Sequence, residues 1–122
     1  MRQPTMRIKL KRIYDAPHKT DGTRILVDRI WPRGLSKSRA KVDLWIRDIA
    51  PSNELRRWFG HDPNKWGEFR RRYFKELRDN DAMVRTIHDE AARGPATLLF
   101  AAKDTQHNNA QALKEYLTRP AN

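Results

Sequence analysis

Three short stretches of this 122-residue chain hold most of the side chains that could do chemistry on a small molecule. They are DRIWPRG, with Asp28, Arg29, Trp31 and Arg33; WFGHDP, with His61 and Asp62; and AAKDTQHNN, with Lys103, Asp104, His107, Asn108 and Asn109. Guanidinium groups present planar forks that match phosphate or carboxylate, so Arg29 and Arg33 are candidate anion binders. Asp28, Trp31, Lys103 and Asn108 join them as candidate ligand contacts. His107, with Asp104 or His61, supplies the acid–base pair that hydrolysis or group transfer requires. No cofactor is implied by these residue types.

Each candidate also has a purely structural role open to it. Asp28 can pair with Arg29 or a neighbouring backbone group, and Arg29 and Arg33 can pair with Asp28 and Asp43. Asp104 or Asn108 can cap the helix that follows. His61, Asp62, Asp104 and His107 are ligand types that suit zinc or iron, but neither HxH nor HExxH spacing occurs, so no metal site is expected. A dinucleotide or Walker-type glycine loop and a GxSxG elbow are missing too. Ser36 and Ser38 sit in a basic loop with nothing to mark either as a nucleophile.

The elements that must position these residues follow from hydrophobic periodicity. RIKLKRIY (7–14) alternates basic and apolar residues, with Ile8 and Leu10 on one face, as a strand near a sheet edge does. DAPHKTDGT is turn-forming. RILVDRI begins with a continuous apolar run and is expected as a central strand, as is ATLLFAA (96–102). Between them, VDLWIRDIA places Val42, Trp45, Ile46 and Ile49 at helical spacing and is expected as a helix stopped by Pro51. Ser52 or Asn53 can cap a short helix bearing Leu55, Trp58 and Phe59. Asp62-Pro63 is a helix-start signal, followed by a stripe of Trp66, Phe69, Tyr73 and Leu77. Asp81 is expected to cap a further helix ended by Gly94-Pro95, and a last helix spans about 108–117.

This order is that of a single α/β domain, with an ordered core over about 7–118. A small, mainly parallel sheet of three to four strands is flanked by about five helices. The pairing of the first two strands is left open. If the two apolar strands are parallel, their carboxyl ends share one edge, where ligands of open α/β sheets bind. The charged residues that end each strand would then form the walls of one cleft.

Composition narrows the possible partners. With 26 Lys and Arg against 15 Asp and Glu, the formal net charge is +11, which favours polyanions through long-range attraction. Arg56, Arg57, Arg70, Arg71, Arg72 and Lys75 are the candidates for a nucleic-acid face; docking onto an acidic protein is a third possibility. The chain has no cysteine, which removes disulfides and thiolate chemistry. Neither a membrane-length apolar run nor a secretory leader is found, so a cytoplasmic location is expected.

GTRILVDRIWPRGLSK, LRRWFGHDPNKWGEFRRRY and TLLFAAKDTQHNNAQALKEYL together closely resemble the YeaO-like branch of the bacterial domain-of-unknown-function 488 family. The resemblance runs from about Ile8 to Leu117. It implies a compact bacterial α/β domain but no reaction. The wider family's C-terminal motif carries cysteine and histidine after the strand, where KDTQHNN stands here, so thiol chemistry does not carry over. The leading expectation is an anion-accepting cleft, that of a small hydrolase or transferase if there is chemistry. Arg29→Ala and His107→Ala are expected to abolish ligand binding or turnover with little loss of stability.

Overall fold

The computed structural model describes residues 7–119. Four parallel strands, β1 (Ile8–Arg12), β2 (Thr23–Leu26), β3 (Leu44–Trp45) and β4 (Ala96–Phe100), form one sheet in the order β1-β4-β2-β3. The helices are α1 (Lys37–Ala40), α2 (Asn53–Phe59), α3 (Trp66–Arg78), α4 (Asp81–Arg93) and α5 (Asn109–Thr118). The expected α/β class is therefore correct, and both apolar runs are central. β4 is buried at every position and lies between β1 and β2, with Ala96 level with Ile8 on one side and Thr23 on the other. The first two strands are not partners of each other: both flank β4. Their connection thus had to span one strand, which is why it was too long for a tight hairpin. No helix among the described residues is long and apolar enough to cross a membrane.

Strand alternation sorts the core into two faces. Leu98 and Phe100 belong to the larger cluster with Phe59, Phe69, Tyr73 and Leu113. Leu99 and Leu26 point the other way, joining Ile13 and Ala40 and packing with Trp31, Leu35, Val42 and Trp45. That second face is covered by α1 and the segments around it, with none of the longer helices contributing a buried residue.

VDLWIRDIA is not a helix. Leu44 and Trp45 pair with Ile25 and Leu26, and Arg47–Ile49 is a single 3-10 turn. The free edge of β2 decides this: Asp43 and Ile46 donate to the Arg24 and Leu26 carbonyls at 2.8 and 3.0 Å, bonds a local helix cannot provide. The side chains then alternate, Leu44 and Ile46 packing on the larger cluster and Trp45 on the smaller. Two helix starts also shift. Asn80, not Asp81, occupies the cap of α4; it makes no side-chain cap bond, and Asp81 pairs with Arg85 instead. Asp62 does cap, accepting from the Asn64 N–H, but it opens a 3-10 turn (Pro63–Lys65) that leads into α3.

The amino ends of the strands are held by a buried charge cluster. Arg24, 4% exposed, donates to Asp21 at 2.6 Å and to the Ala40 and Lys41 carbonyls at 2.8 and 3.1 Å. Asp21 also accepts from the Lys11 ammonium at 3.2 Å and from the His18 N–H at 3.0 Å. Burial alone would push the Asp21 carboxyl up. The His18 N–H and the Lys11 and Arg24 cations outweigh it and hold it below its usual range.

Candidate functional site

At the carboxyl edge of the sheet lies a cleft of ≈ 420 Å³. Its walls come from residues 28–33 after β2, from Ala101, Ala102 and residues 107–109 after β4, and from Phe59 and His61 at the end of α2. The three stretches expected to carry chemistry do meet. Asp28, Arg29, Trp31, Arg33, His61, His107 and Asn108 line the cleft; Lys103 and Asp104 do not. Tyr14, Ala50, Pro51, Arg56 and Phe69 complete the lining.

The wall after β2 is built rigidly. Trp45 Nε1 donates to the Asp28 carbonyl at 2.8 Å, Tyr14 Oη to the Arg33 carbonyl at 3.0 Å, and Trp31 Nε1 to the Leu35 carbonyl at 2.7 Å. Three aromatic side chains thus satisfy the carbonyls of a loop with few backbone partners, and Trp31 and Trp45 meet edge to face at 5.5 Å. The wall before α2 is braced from α3. Tyr73 Oη donates to the Ile49 carbonyl at 2.6 Å, and Glu76 accepts from the Ser52 N–H and hydroxyl at 2.9 and 2.7 Å. Burial, with the Glu76 and Asp28 carboxylates adding to it, raises the Tyr73 phenol and keeps it a donor.

Asp28 Oδ2 accepts from the Ala101 N–H at 2.9 Å and Oδ1 from Asn109 Nδ2 at 3.0 Å. Asn109 also donates to the Val27 carbonyl at 3.0 Å, so it clamps the ends of β2 and β4 to the start of α5. Of the structural roles open to Asp28, pairing with backbone is the one found, and Arg29 is not its partner. Burial raises the Asp28 carboxyl, and the Ala101 and Asn109 donors offset this only in part.

Arg29 turns to the opposite wall. Its Nη2 donates to the Ala50 and Pro51 carbonyls at 3.2 and 3.4 Å, and Nη1 lies 3.5 Å from Asp48. Its buried Nε has no hydrogen-bond partner among the described residues. Two carbonyls therefore depend on this side chain, and Arg29→Ala should destabilise by about 1–3 kcal/mol, contrary to the expectation of an intact fold. Arg33 is exposed and forms no ion pair among the described residues. Asp43, the other proposed partner for these arginines, accepts from the Arg24 N–H at 2.8 Å.

His107 is fixed by a tight turn. Asp104 Oδ1 accepts the Gln106 and His107 N–H groups at 2.9 and 3.0 Å, and Asp104 Oδ2 lies 3.0 Å from His107 Nδ1. The Gln106 N–H and the His107 ring together lower the Asp104 carboxyl. The imidazole meets Trp66 edge on at 5.4 Å. Asn108 is the helix cap: it accepts from the Gln111 N–H at 2.9 Å and donates to the Asp104 carbonyl at 2.9 Å. Both its polar atoms are engaged inside the fold, which leaves its place in the lining passive. Among the described residues no group of three or more His, Asp or Glu is arranged to hold a metal ion.

His61 occupies left-handed backbone, φ 59°, directly after Gly60 at φ 53°. Only glycine adopts this region without cost. His61→Gly should raise the unfolding free energy by about 0.5–1 kcal/mol in urea denaturation. A loss of stability instead would mean that the ring's contact with Phe59, at 6.4 Å, outweighs the strain.

The arginine-rich surface is partly paired. Arg70 pairs with Glu115 at 2.7 Å, and Arg71 and Arg72 both pair with Glu68, which their guanidinium groups hold down to about 2. Arg72 also covers the Trp58 ring at 4.2 Å. Arg57 and Lys75 remain exposed, and Arg56 turns toward the cleft.

The chain is 41% identical to the uncharacterized protein YeaO of Escherichia coli over 112 residues, 92% of this chain and 97% of the relative. It is 37% identical to uncharacterized proteins Mb3100c of Mycobacterium bovis and Rv3073c of Mycobacterium tuberculosis over 111 residues, 91% of this chain and 93% of each relative. No solved structure matches it significantly. The model of the "Inactive DUF488-N3 subclade" covers residues 7–122, the whole of the sheet, the helices and the cleft, and with the identity to YeaO it shows that the chain belongs to this YeaO-like DUF488 family.

Proposed function

We propose that the cleft binds a small phosphate- or carboxylate-bearing molecule and holds it without turning it over. The observation that carries this reading is the charge of the lining. Arg29, Arg33 and Arg56 converge from two segments on a cleft in which Asp28 is the one carboxylate. A rigid, mostly apolar concavity with a few convergent charged groups is the usual form of a small-molecule site. The word "inactive" in the family's description favours binding over catalysis. His107, Asp104 and His61 then act as ligand contacts and supports rather than as an acid–base set. The missing cysteine fits this too. A nucleic-acid face is the weaker reading, because Arg70, Arg71 and Arg72 are already engaged with carboxylates.

Arg33 and Arg56 are exposed, so removing either charge leaves the fold intact. Arg33→Gln and Arg56→Gln should each weaken anion binding by about three- to fivefold in isothermal titration, the scale of an exposed charge contact. Unfolding curves should stay within about 0.5 kcal/mol of the parent. Unchanged affinity in both variants would remove the cleft as the anion site.

A further inference from the structure

We infer that the ligand of this cleft is an amphipathic carboxylate, a small organic acid whose apolar body enters the cleft and whose single negative charge stays at the rim. This deepens the anion-binding reading and rests on it.

The lining divides by exposure. Its buried members are Pro32, Ala50, Pro51, Phe59, Phe69 and Asn108; Asn108 has both polar groups engaged with Asp104 and Gln111, so the floor is apolar apart from it. Its exposed members include Arg33 and Arg56, so the freely available positive charge stands at the mouth. Arg29, the deeper cation, already gives Nη2 to two carbonyls and has Asp48 beside Nη1; Nε is its one nitrogen without a partner among the described residues. Asp28 adds a carboxylate inside. A phosphate dianion placed on the floor would therefore meet apolar carbon, a repelling carboxyl group and one free N–H. Burying a charge under those terms is unfavourable. An apolar group placed there meets a surface of its own kind.

The mouth carries a second, independent sign. Two large hydrophobic side chains stand out as exposed among the described residues, Ile30 at 60% and Tyr14 at 43%, and both line this cleft. Apolar surface beside guanidinium groups that face no carboxylate among the described residues, Arg56 touching only the neutral Asn53 amide, is complementary to a molecule with a hydrocarbon body and an anionic head. The volume of ≈ 420 Å³ suits a free small molecule, since such sites span about 300–1,000 Å³.

Acetate, butyrate and hexanoate at constant ionic strength, titrated into ¹⁵N-labelled protein, test this directly. The dissociation constant should fall about fourfold for each added methylene, as burial of hydrocarbon requires. Shifts should centre on residues 28–33, 59–61 and 101–109. Arg56→Gln should weaken hexanoate but leave hexan-1-ol binding unchanged, which separates the head from the body. Inorganic phosphate should bind more weakly than hexanoate. Affinity that stays flat along the series, or phosphate binding tighter than hexanoate at the same residues, overturns the amphipathic carboxylate while leaving an anion-binding cleft standing. No response to phosphate or to any of the acids overturns both.

Discussion

Arg24→Ala should cost about 3–5 kcal/mol, a large part of the stability expected for a domain of this size. Arg24 is not worth that much as a net contribution. The cost comes from what its loss leaves behind: Asp21, 4% exposed, with the Lys11 ammonium at 3.2 Å as its one cation and the His18 N–H as its other donor, and the Ala40 and Lys41 carbonyls without their donors. Urea denaturation followed by tryptophan fluorescence reads the change directly. The same cluster sets a pH dependence. Asp21 is held below its usual range in the folded chain, so the unfolded chain binds its proton first as pH falls. Its contribution is complete above the unfolded value and is lost from about pH 4 downward, through the lower folded value. In Asp21→Asn this acid-side loss should be diminished. An unchanged acid limb would show that other carboxylates dominate.

Gly22→Ala should be equally damaging for a different reason. Gly22 has φ +67°, and a Cβ built there would lie 2.0 Å from the Pro95 carbonyl oxygen, which accepts the Thr23 N–H at 3.0 Å. The backbone strain and the clash together should destabilise by about 3 kcal/mol or more. Gly34→Ala is the control. Gly34 also has positive φ, +77°, but nothing lies within 4 Å of its added Cβ, so about 1 kcal/mol is expected. The difference between the two variants isolates the contact between the β2 start and the β4 start. Equal effects would mean that the Pro95 backbone gives way readily.

The sequence showed most clearly what repeats or runs. Ile25–Val27 and Leu98–Phe100 are apolar without interruption because both faces of their strands are covered, and that pattern has few other causes. Because those strands are parallel and adjacent, the polar residues after them had to share an edge, and the cleft followed. What misled was Val42 to Ile49, where helical spacing and strand alternation overlap over a few residues and the open edge of β2 settled the choice. Tyr14 and Arg56 were legible only once the position of β1 beside β4 and the end of α2 was known. Asn109 stood in the polar cluster after β4, but its clamp on Asp28 depends on the distance between two chain segments 81 residues apart. Arg29 is the sharpest case. Its residue type said anion binder, whereas its strongest bonds are to the Ala50 and Pro51 carbonyls, on a loop that α3 places there.

That division changes how the site is to be tested. Arg29 and Asn108 are braced inside the fold, and His107 is held by Asp104 and Trp66; Arg33 and Arg56, both exposed, are the lining side chains whose replacement tests the proposed binding without disturbing the wall. Loss of binding in Arg29→Ala would not separate the two roles, because the wall it braces would move as well.

The most direct measurement is a ¹⁵N–¹H correlation titration with inorganic phosphate and with hexanoate, each at low and high salt, alongside a short DNA duplex. An anion-binding cleft requires saturable shifts from at least one of the two small anions, confined to residues 28–33, 50–61 and 101–109. Silence in those segments with both anions, with salt-erased shifts over residues 56–78 from the duplex alone, would contradict it and assign the basic surface to nucleic acid.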